Sequence, residues 1–295
     1  MQGLLIINKP KNMTSFSAVA RVRRFAATKK VGHTGTLDPM ATGVLPIFVG
    51  RATQLCSFLL EADKAYTATF LFGTVTDTDD ITGKVTEQNK VCVTEQQVLE
   101  TLQKFVGKIS QVPPAFSAIK QGGVPMYKKA RQGQSVEIPA REVTVYSITP
   151  LSKFENNEIK VEIVCSKGTY IRSLCRDIGA ALGCGATLKA LERTATSGFT
   201  LEDAVSLEEL NEENIEQYLI SEEKAVEHLR KIQVSEAQAT RFLNGGKLDT
   251  ERLHFTAGDN GELVRIKRGD TLLGIGEVDA ENREIRIRCI LQLNN

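Results

Sequence analysis

The chain has 295 residues, enough for roughly two domains at about 100–200 residues each. Its 41% hydrophobic and 25% charged composition excludes disorder over most of the length, and 37 basic against 36 acidic residues leave a net charge of +1 that selects no class of partner. No apolar run is long enough to cross a membrane, and the longest near the N-terminus, Leu4 to Ile7, is too short for a signal-peptide core. Six cysteines without a Cys-x-x-Cys pair read as reduced, mostly buried thiols, and His33, His228 and His254 lack zinc spacing. The expectation is a soluble, cytoplasmic, metal-free protein.

In chain order, Gly3–Ile7 predicts a first strand ending at Asn8-Lys9-Pro10. Thr14 then caps a helix through about Phe25, with Phe16, Val19, Ala20 and Arg23 at helical spacing. Residues 31–46, with Gly32, Gly35, Pro39, Gly43 and Pro46, read as a loop. Ala52–Leu60 reads as helix and Ala65–Phe72 as strand. The capping box Thr94-Glu95-Gln96-Gln97 opens a helix to about Val106. From Gly107 to Ala140, two adjacent prolines, several glycines and several lysines predict a projecting loop with one short helix near Tyr127–Arg131. Strands follow at about 142–153 and 158–165, then a helix from Thr169 to Leu182 stopped by Gly183. Ser206 to Glu209 predicts a capped helix in an acidic stretch. Past about residue 230 come one helix (235–244) and three strand-like runs (263–268, 271–278, 284–292), a β-rich module of about 65 residues suited to binding rather than catalysis.

Charge is unevenly spread. Residues 1–54 hold eight bases against one acid, Asp38, whereas residues 202–227 hold ten acids against one base, Lys224. The first segment reads either as a polyanion-binding face or as a solvated helix face. The second reads as an exposed helix and linker at a domain boundary.

The stretch Gly32 to Pro46 carries the most chemistry. No lysine follows its glycines as a phosphate-binding P-loop requires, and Asp38 has no second carboxylate nearby for glycosidase chemistry, the next acid being Glu61. A lone carboxylate on a stiff Gly/Pro loop in a basic segment is either a nucleophile or charge stabiliser kept ionised by its surroundings, or the start of an ordinary Asp-Pro turn.

This stretch resembles the Gly-x-x-His-Thr-Gly-x-Leu-Asp-Pro-x-Ala-Thr-Gly-x-Leu-Pro signature of bacterial tRNA pseudouridine-55 synthases, the TruB type. Asn8-Lys9-Pro10 with Thr14-Ser15, Lys64-Ala65-Tyr66, Thr76-Asp77-Thr78-Asp79 and Pro113-Pro114-x-x-Ser117-Ala118-x-Lys120 resemble further motifs of that family. So do Lys167-Gly168-Thr169-Tyr170-Ile171-Arg172 and Leu191-x-Arg193-Thr194, all in the family's order. The resemblance implies an α+β pseudouridine-synthase fold, a central mixed but mainly antiparallel sheet flanked by helices. It also implies a catalytic domain over residues 1–228, an RNA-clamping insert at about 107–140, and a small PUA-like RNA-binding domain over 229–295.

It further implies isomerisation of uridine 55 in the T arm of tRNA, without metal or cofactor, by a monomer needing no protein partner. Asp38 matches the essential aspartate, Arg172 the arginine that pairs with it and keeps it ionised, and Tyr66 the tyrosine that stacks on the base and is the candidate to take the C5 proton. Tyr170 and Leu191 match the walls of the base pocket, and His33 the residue that fills the space left by the flipped base. Lys9 and Pro10 belong to the N-terminal motif; Lys9, Lys11, Arg21, Arg23, Arg24 and the lysines at 120, 128 and 129 are candidate phosphate contacts. Asp77, Asp79 and Asp80 lack EF-hand order and read as a supporting turn. Asn12 replaces the family glycine in a turn that asparagine tolerates, and Glu192 replaces a common arginine beside Leu191.

Two other functions compete. A non-catalytic tRNA-binding or tRNA-folding protein with the same fold would release no tritium from C5-labelled uridine. A small-molecule glycoside enzyme would act on free nucleosides with little salt sensitivity.

Overall fold

The computed structural model describes residues 1–59, 63–114, 120–121, 124–125, 138–253 and 260–292. Ten strands form one sheet. Its main path runs Val205–Ser206, Gly3–Lys9, Thr42–Val49, Ala186–Thr196, Lys64–Phe72, Glu158–Cys165, Arg141–Pro150, Gly107–Gln111. Two junctions on this path are parallel, Gly3–Lys9 with Val205–Ser206 and Ala186–Thr196 with Thr42–Val49; the remaining pairings are antiparallel. This is the expected α+β architecture.

Burial explains why Leu4 to Ile7 is continuously apolar. Leu5 and Ile7 enter the large core shared with helices Ser15–Phe25, Glu95–Lys104 and Ile171–Ala181. Leu4 and Ile6 point to the opposite face, into a second core with Ala225, Val226, Leu272 and Ile275. A strand covered on both faces has no solvent side and so no alternation. The C-terminal segment makes its own five-stranded sheet, ordered Arg230–Gln233, Leu263–Arg268, Thr271–Asp279, Glu284–Ile290, Leu248–Asp249. A third core underlies it, including Ile232, Phe242, Val264 and Ile285.

Thr14 caps Ser15–Phe25, and Thr94 and Ser235 form capping boxes for Glu95–Lys104 and Glu236–Leu243. Asn12 adopts φ 63°, the left-handed geometry its motif requires. Four expectations need correction, and one strand is not anticipated by the sequence. Residues 31–46 are a loop only over 34–41: Val31–His33 and Thr42–Val49 are paired strands, the second almost entirely buried. Gly43 and Pro46 are accommodated within that strand, the first at φ 100° where a Cβ would meet the Arg193 carbonyl oxygen at 2.2 Å. Ala186–Thr196, rich in helix formers, is a strand along the sheet's middle, because its neighbours on both sides supply the ladder that propensity alone does not.

Ser206 does receive the amide of Glu208, but residues 207–209 form only a turn, and the acidic stretch contains three short 3-10 segments. Gly107–Gln111 is an edge strand rather than the start of a loop. Gly50–Leu55 is 3-10 before the short helix Cys56–Leu59. The short helix expected near Tyr127–Arg131, and Lys128 and Lys129, lie outside the described residues. Among the described residues no helix is long and apolar enough to cross a membrane.

Candidate active site

A cavity of about 350 Å³ opens where the loop carrying Asp38 meets the start of helix Ile171–Ala181. Asp38, Tyr66, Tyr170, Arg172, Leu191 and Arg193 line it, together with Gly35, Thr36, Leu37, Lys64 and the turn Gly168–Ile171. The Asp38 carboxylate receives a two-pronged contact from Arg172, Nε to Oδ2 at 2.8 Å and Nη2 to Oδ1 at 3.1 Å. The third guanidinium nitrogen donates to the Thr78 carbonyl at 3.0 Å and lies 3.8 Å from Asp80. A planar fork matches this set of oxygens as a point charge cannot. Arg172 has only 5% of its side chain exposed, while Asp38 keeps 33% and faces the opening.

The Asp38 loop is held from beneath. The buried Ser15 hydroxyl accepts from the Leu37 amide at 2.9 Å and returns a bond to the Leu37 carbonyl at 3.1 Å. On the other side, the Asn12 amide donates to the Pro39 carbonyl at 2.8 Å. The residues flanking Asp38 are therefore pinned to the helix Ser15–Phe25 and its preceding turn. The dyad's second support is the turn at Asp77–Asp80. Asp80 accepts from Thr78 and from both the amide and hydroxyl of Thr82, while Asp79 pairs with Arg176 at 3.0 Å. These aspartates are engaged by protein donors, as a supporting turn requires.

Burial raises the Asp38 carboxyl above the usual carboxylate range; Arg172 pulls it down, Asp80 pushes it up and Lys9 lowers it. Neighbouring positive charge acts in the expected direction, but desolvation outweighs it. Tyr66 is almost wholly buried on Lys64–Phe72 and its phenol is pushed up to about 12 by burial, with Arg193 acting against the shift. Tyr170 stands at the helix entrance. Gln111 holds both its amide and its carbonyl, and the Arg141 guanidinium lies 4.7 Å from its ring centroid. Tyr66, Tyr170 and Leu191 thus give the cavity apolar walls above one ion pair.

Arg193, which its motif alone leaves without a role, is nearly inaccessible yet lines the cavity. Its Nε donates to the Val44 carbonyl at 2.7 Å, and it interacts with the Tyr66 hydroxyl. Gly35, at φ 64°, passes it so closely that a Cβ would sit 3.0 Å from Nη1. Ser15 and Asn12 also join the site unexpectedly; the only sequence signal for them is the N-terminal motif that surrounds them.

Three expected site residues do not line the cavity, although the role expected of His33, filling the space left in the RNA, needs no place in its wall. Lys9 is fully buried, its ammonium donating to the carbonyls of Pro10 at 2.9 Å and Met13 at 2.6 Å. It cannot touch a phosphate. Burial lowers it to about 8, with Asp38 acting in the opposite sense. Pro10 serves as one of its acceptors and does not line the cavity. His33 sits on the short strand Val31–His33, also outside the cavity wall, its ring lowered in basicity by burial.

Against known families, residues 23–171 match the model of the TruB family pseudouridylate synthase (N terminal domain), and residues 172–242 that of the tRNA pseudouridylate synthase B C-terminal domain. The chain belongs to the TruB family of pseudouridine synthases. The tRNA pseudouridine synthase B of Clostridium perfringens (strain 13 / Type A) is 44% identical over 281 residues, covering 95% of this chain and 96% of that protein. That of Clostridium tetani is 41% identical over 286 residues, covering 97% and 98%. Among solved structures, a chain in the crystal structure of a Cbf5-Nop10-Gar1 complex superposes with a TM-score of 0.74 at 26% identity, covering 99% of this chain and 85% of its own. A chain in the structure of an H/ACA RNP bound to a substrate RNA containing 2'-deoxyuridine gives 0.73 at 26%. This TruB-family chain accordingly has the pseudouridine-synthase fold with a small C-terminal β sheet, and it is an isomerase of that family.

Proposed function

We propose that this TruB-family enzyme converts uridine 55 in the T arm of tRNA to pseudouridine, using Asp38 as its essential group. The Asp38–Arg172 fork at the base of an apolar-walled cavity carries this reading. The reaction breaks the N1–C1′ bond, turns the base and joins C5 to C1′. Electrons balance within the substrate, so neither oxidant nor energy source is consumed. Attack at C1′, attack at C6 and passage through a glycal all require an ionised carboxylate at the junction of sugar and base. The floor of the cavity supplies a carboxylate whose ionised form Arg172 favours against burial.

The target nucleotide must leave its stack to enter, at a cost of a few kcal/mol. Tyr66, Tyr170 and Leu191 return part of that cost by packing against the extruded base. As the RNA seals the opening, water leaves Asp38 and its charged form depends increasingly on Arg172. At a phenol pKa of about 12, only about one Tyr66 in 10⁵ is ionised at pH 7. Tyr66 can take the C5 proton only in its scarce phenolate form, which Arg193 beside it favours and which becomes the neutral phenol on transfer.

The chain works as two units, residues 1–228 for catalysis and 229–295 for RNA binding in the manner of a PUA-like module, and acts as a cytoplasmic monomer without an obligate protein partner. Leu272, Ile275 and Cys289 share a core with Leu4, Ile6 and Phe48, which seats the second unit firmly on the first. The test is to incubate unmodified tRNA with the purified protein and map modified positions. A single pseudouridine at position 55 supports the assignment; modification elsewhere only, or none, refutes it.

A further inference from the structure

Phe16 is the most exposed large hydrophobic side chain among the described residues, at 68%. It lies on the solvent side of helix Ser15–Phe25, whose other face buries Ala18, Val19 and Val22. Nothing in the core explains a phenylalanine there. Its position is fixed relative to the cavity, because the preceding residue, Ser15, is bonded at both ends of Leu37 beside Asp38. The ring is also braced: the Arg23 guanidinium lies 5.8 Å from its centroid while donating to the Val31 carbonyl at 3.0 Å. An aromatic ring held by a cation at one side and open to water at the other suits a flat π-system.

The surroundings select the occupant. Lys11 and Arg24 are exposed nearby, with Lys29 and Lys30 beyond the helix, and the one acid in the first 54 residues is Asp38 itself. Within residues 1–54 a polyanion meets no carboxylate apart from the one it is brought to. An apolar protein partner would find a single ring amid cations. We propose that Phe16 is a stacking platform for a nucleotide base flanking the target uridine, with its phosphates carried by the basic side chains around it. This rests on the reading of RNA as substrate, and deepens it by naming where the strand leaves the cavity. Phe16 takes no part in bond rearrangement; it is a positioning residue that sets how strongly and in which register the strand is held.

The chain contains no tryptophan, so Phe16→Trp installs a single reporter at the platform. With a T-arm stem-loop RNA, F16W is expected to lose tryptophan emission on binding, as a base stacks on the indole. Stem-loops made abasic at one nucleotide at a time should bind with the emission restored at one flanking position only. Phe16→Ala should raise KM about 5- to 150-fold, the range for loss of one base–aromatic stack, with kcat and the salt dependence of binding little changed. Unchanged F16W emission while labelled RNA binds with wild-type anisotropy overturns the platform and leaves the RNA assignment standing. Absence of RNA binding by the wild-type protein itself overturns both.

Discussion

Replacing Arg172 by methionine removes the cation that opposes the desolvation of Asp38 while retaining much of the side chain's bulk. It breaks the 2.8 and 3.1 Å bonds to Asp38 and the 3.0 Å bond to Thr78. Two unit charges about 4 Å apart interact by about 4 kcal/mol at an effective dielectric near 20. Because Asp38 is one-third exposed, water recovers part of this, leaving about 2–4 kcal/mol against the ionised form. If the reaction draws on that form, this corresponds to roughly 30- to 1,000-fold in rate at pH values below the wild-type acid limb, and to less above it.

The sign of the pH effect follows. The Asp38 carboxyl already lies above the ordinary range because of burial, and removing Arg172 raises it further. On the proposed mechanism activity needs the carboxylate, so the acid limb of the rate profile should move to higher pH and much of the missing rate should return in alkaline buffer. Tritium release from C5-labelled tRNA under single-turnover conditions, measured across pH for wild type, Arg172→Met and Arg172→Lys, reads this directly. Lysine restores charge without the fork, so its acid limb should stay near the wild-type position at a reduced plateau. Circular dichroism and the melting temperature confirm that each variant is folded. An Arg172→Met profile with the wild-type acid limb, merely scaled down, would refute the idea that Arg172 keeps Asp38 charged.

Tyr66→Phe should still bind tRNA but turn over at least about 100-fold more slowly if the hydroxyl takes the C5 proton, as single-turnover tritium release will report. Ser15→Ala removes both bonds to Leu37 and strands a buried amide, so thermal or urea unfolding should show a loss of about 1–3 kcal/mol, with a fall in kcat and unchanged RNA affinity. Lys9 is lowered to about 8 in the fold, so the unfolded chain binds more protons between about pH 8 and its ordinary value, and wild-type stability should gain with rising pH in that window. Lys9→Met should lack that gain when the two unfolding free energies are compared across alkaline pH.

Much of the architecture is legible in the sequence wherever local chemistry and tertiary context agree. The capping residues Thr14 and Thr94 mark helix starts correctly because their side chains satisfy local amides whatever the rest of the fold does. Ala186–Thr196 is not legible as a strand, since its alanines, leucines, lysine, glutamate and arginine favour helix and its partners lie far away in sequence. Thr42–Val49 is hidden by Gly43 and Pro46, residues that ordinarily break a strand. At the site, Asp38, Tyr66, Tyr170, Arg172 and Leu191, each named by its motif, meet in one cavity. Side-chain burial is not encoded in the motifs. Lys9 therefore reads as a surface cation although its ammonium is enclosed by two carbonyls. Ser15 and Arg193 act on the site through backbone carbonyls and amides, which no pattern of residue types reveals.

The proposed mechanism turns on one carboxylate. Asp38→Asn is nearly isosteric and removes the charge, so the variant should bind tRNA with wild-type affinity yet release no measurable tritium from C5-labelled uridine, even in prolonged single-turnover incubation. Release at a rate within about tenfold of wild type would contradict the central claim that this side chain performs the chemistry.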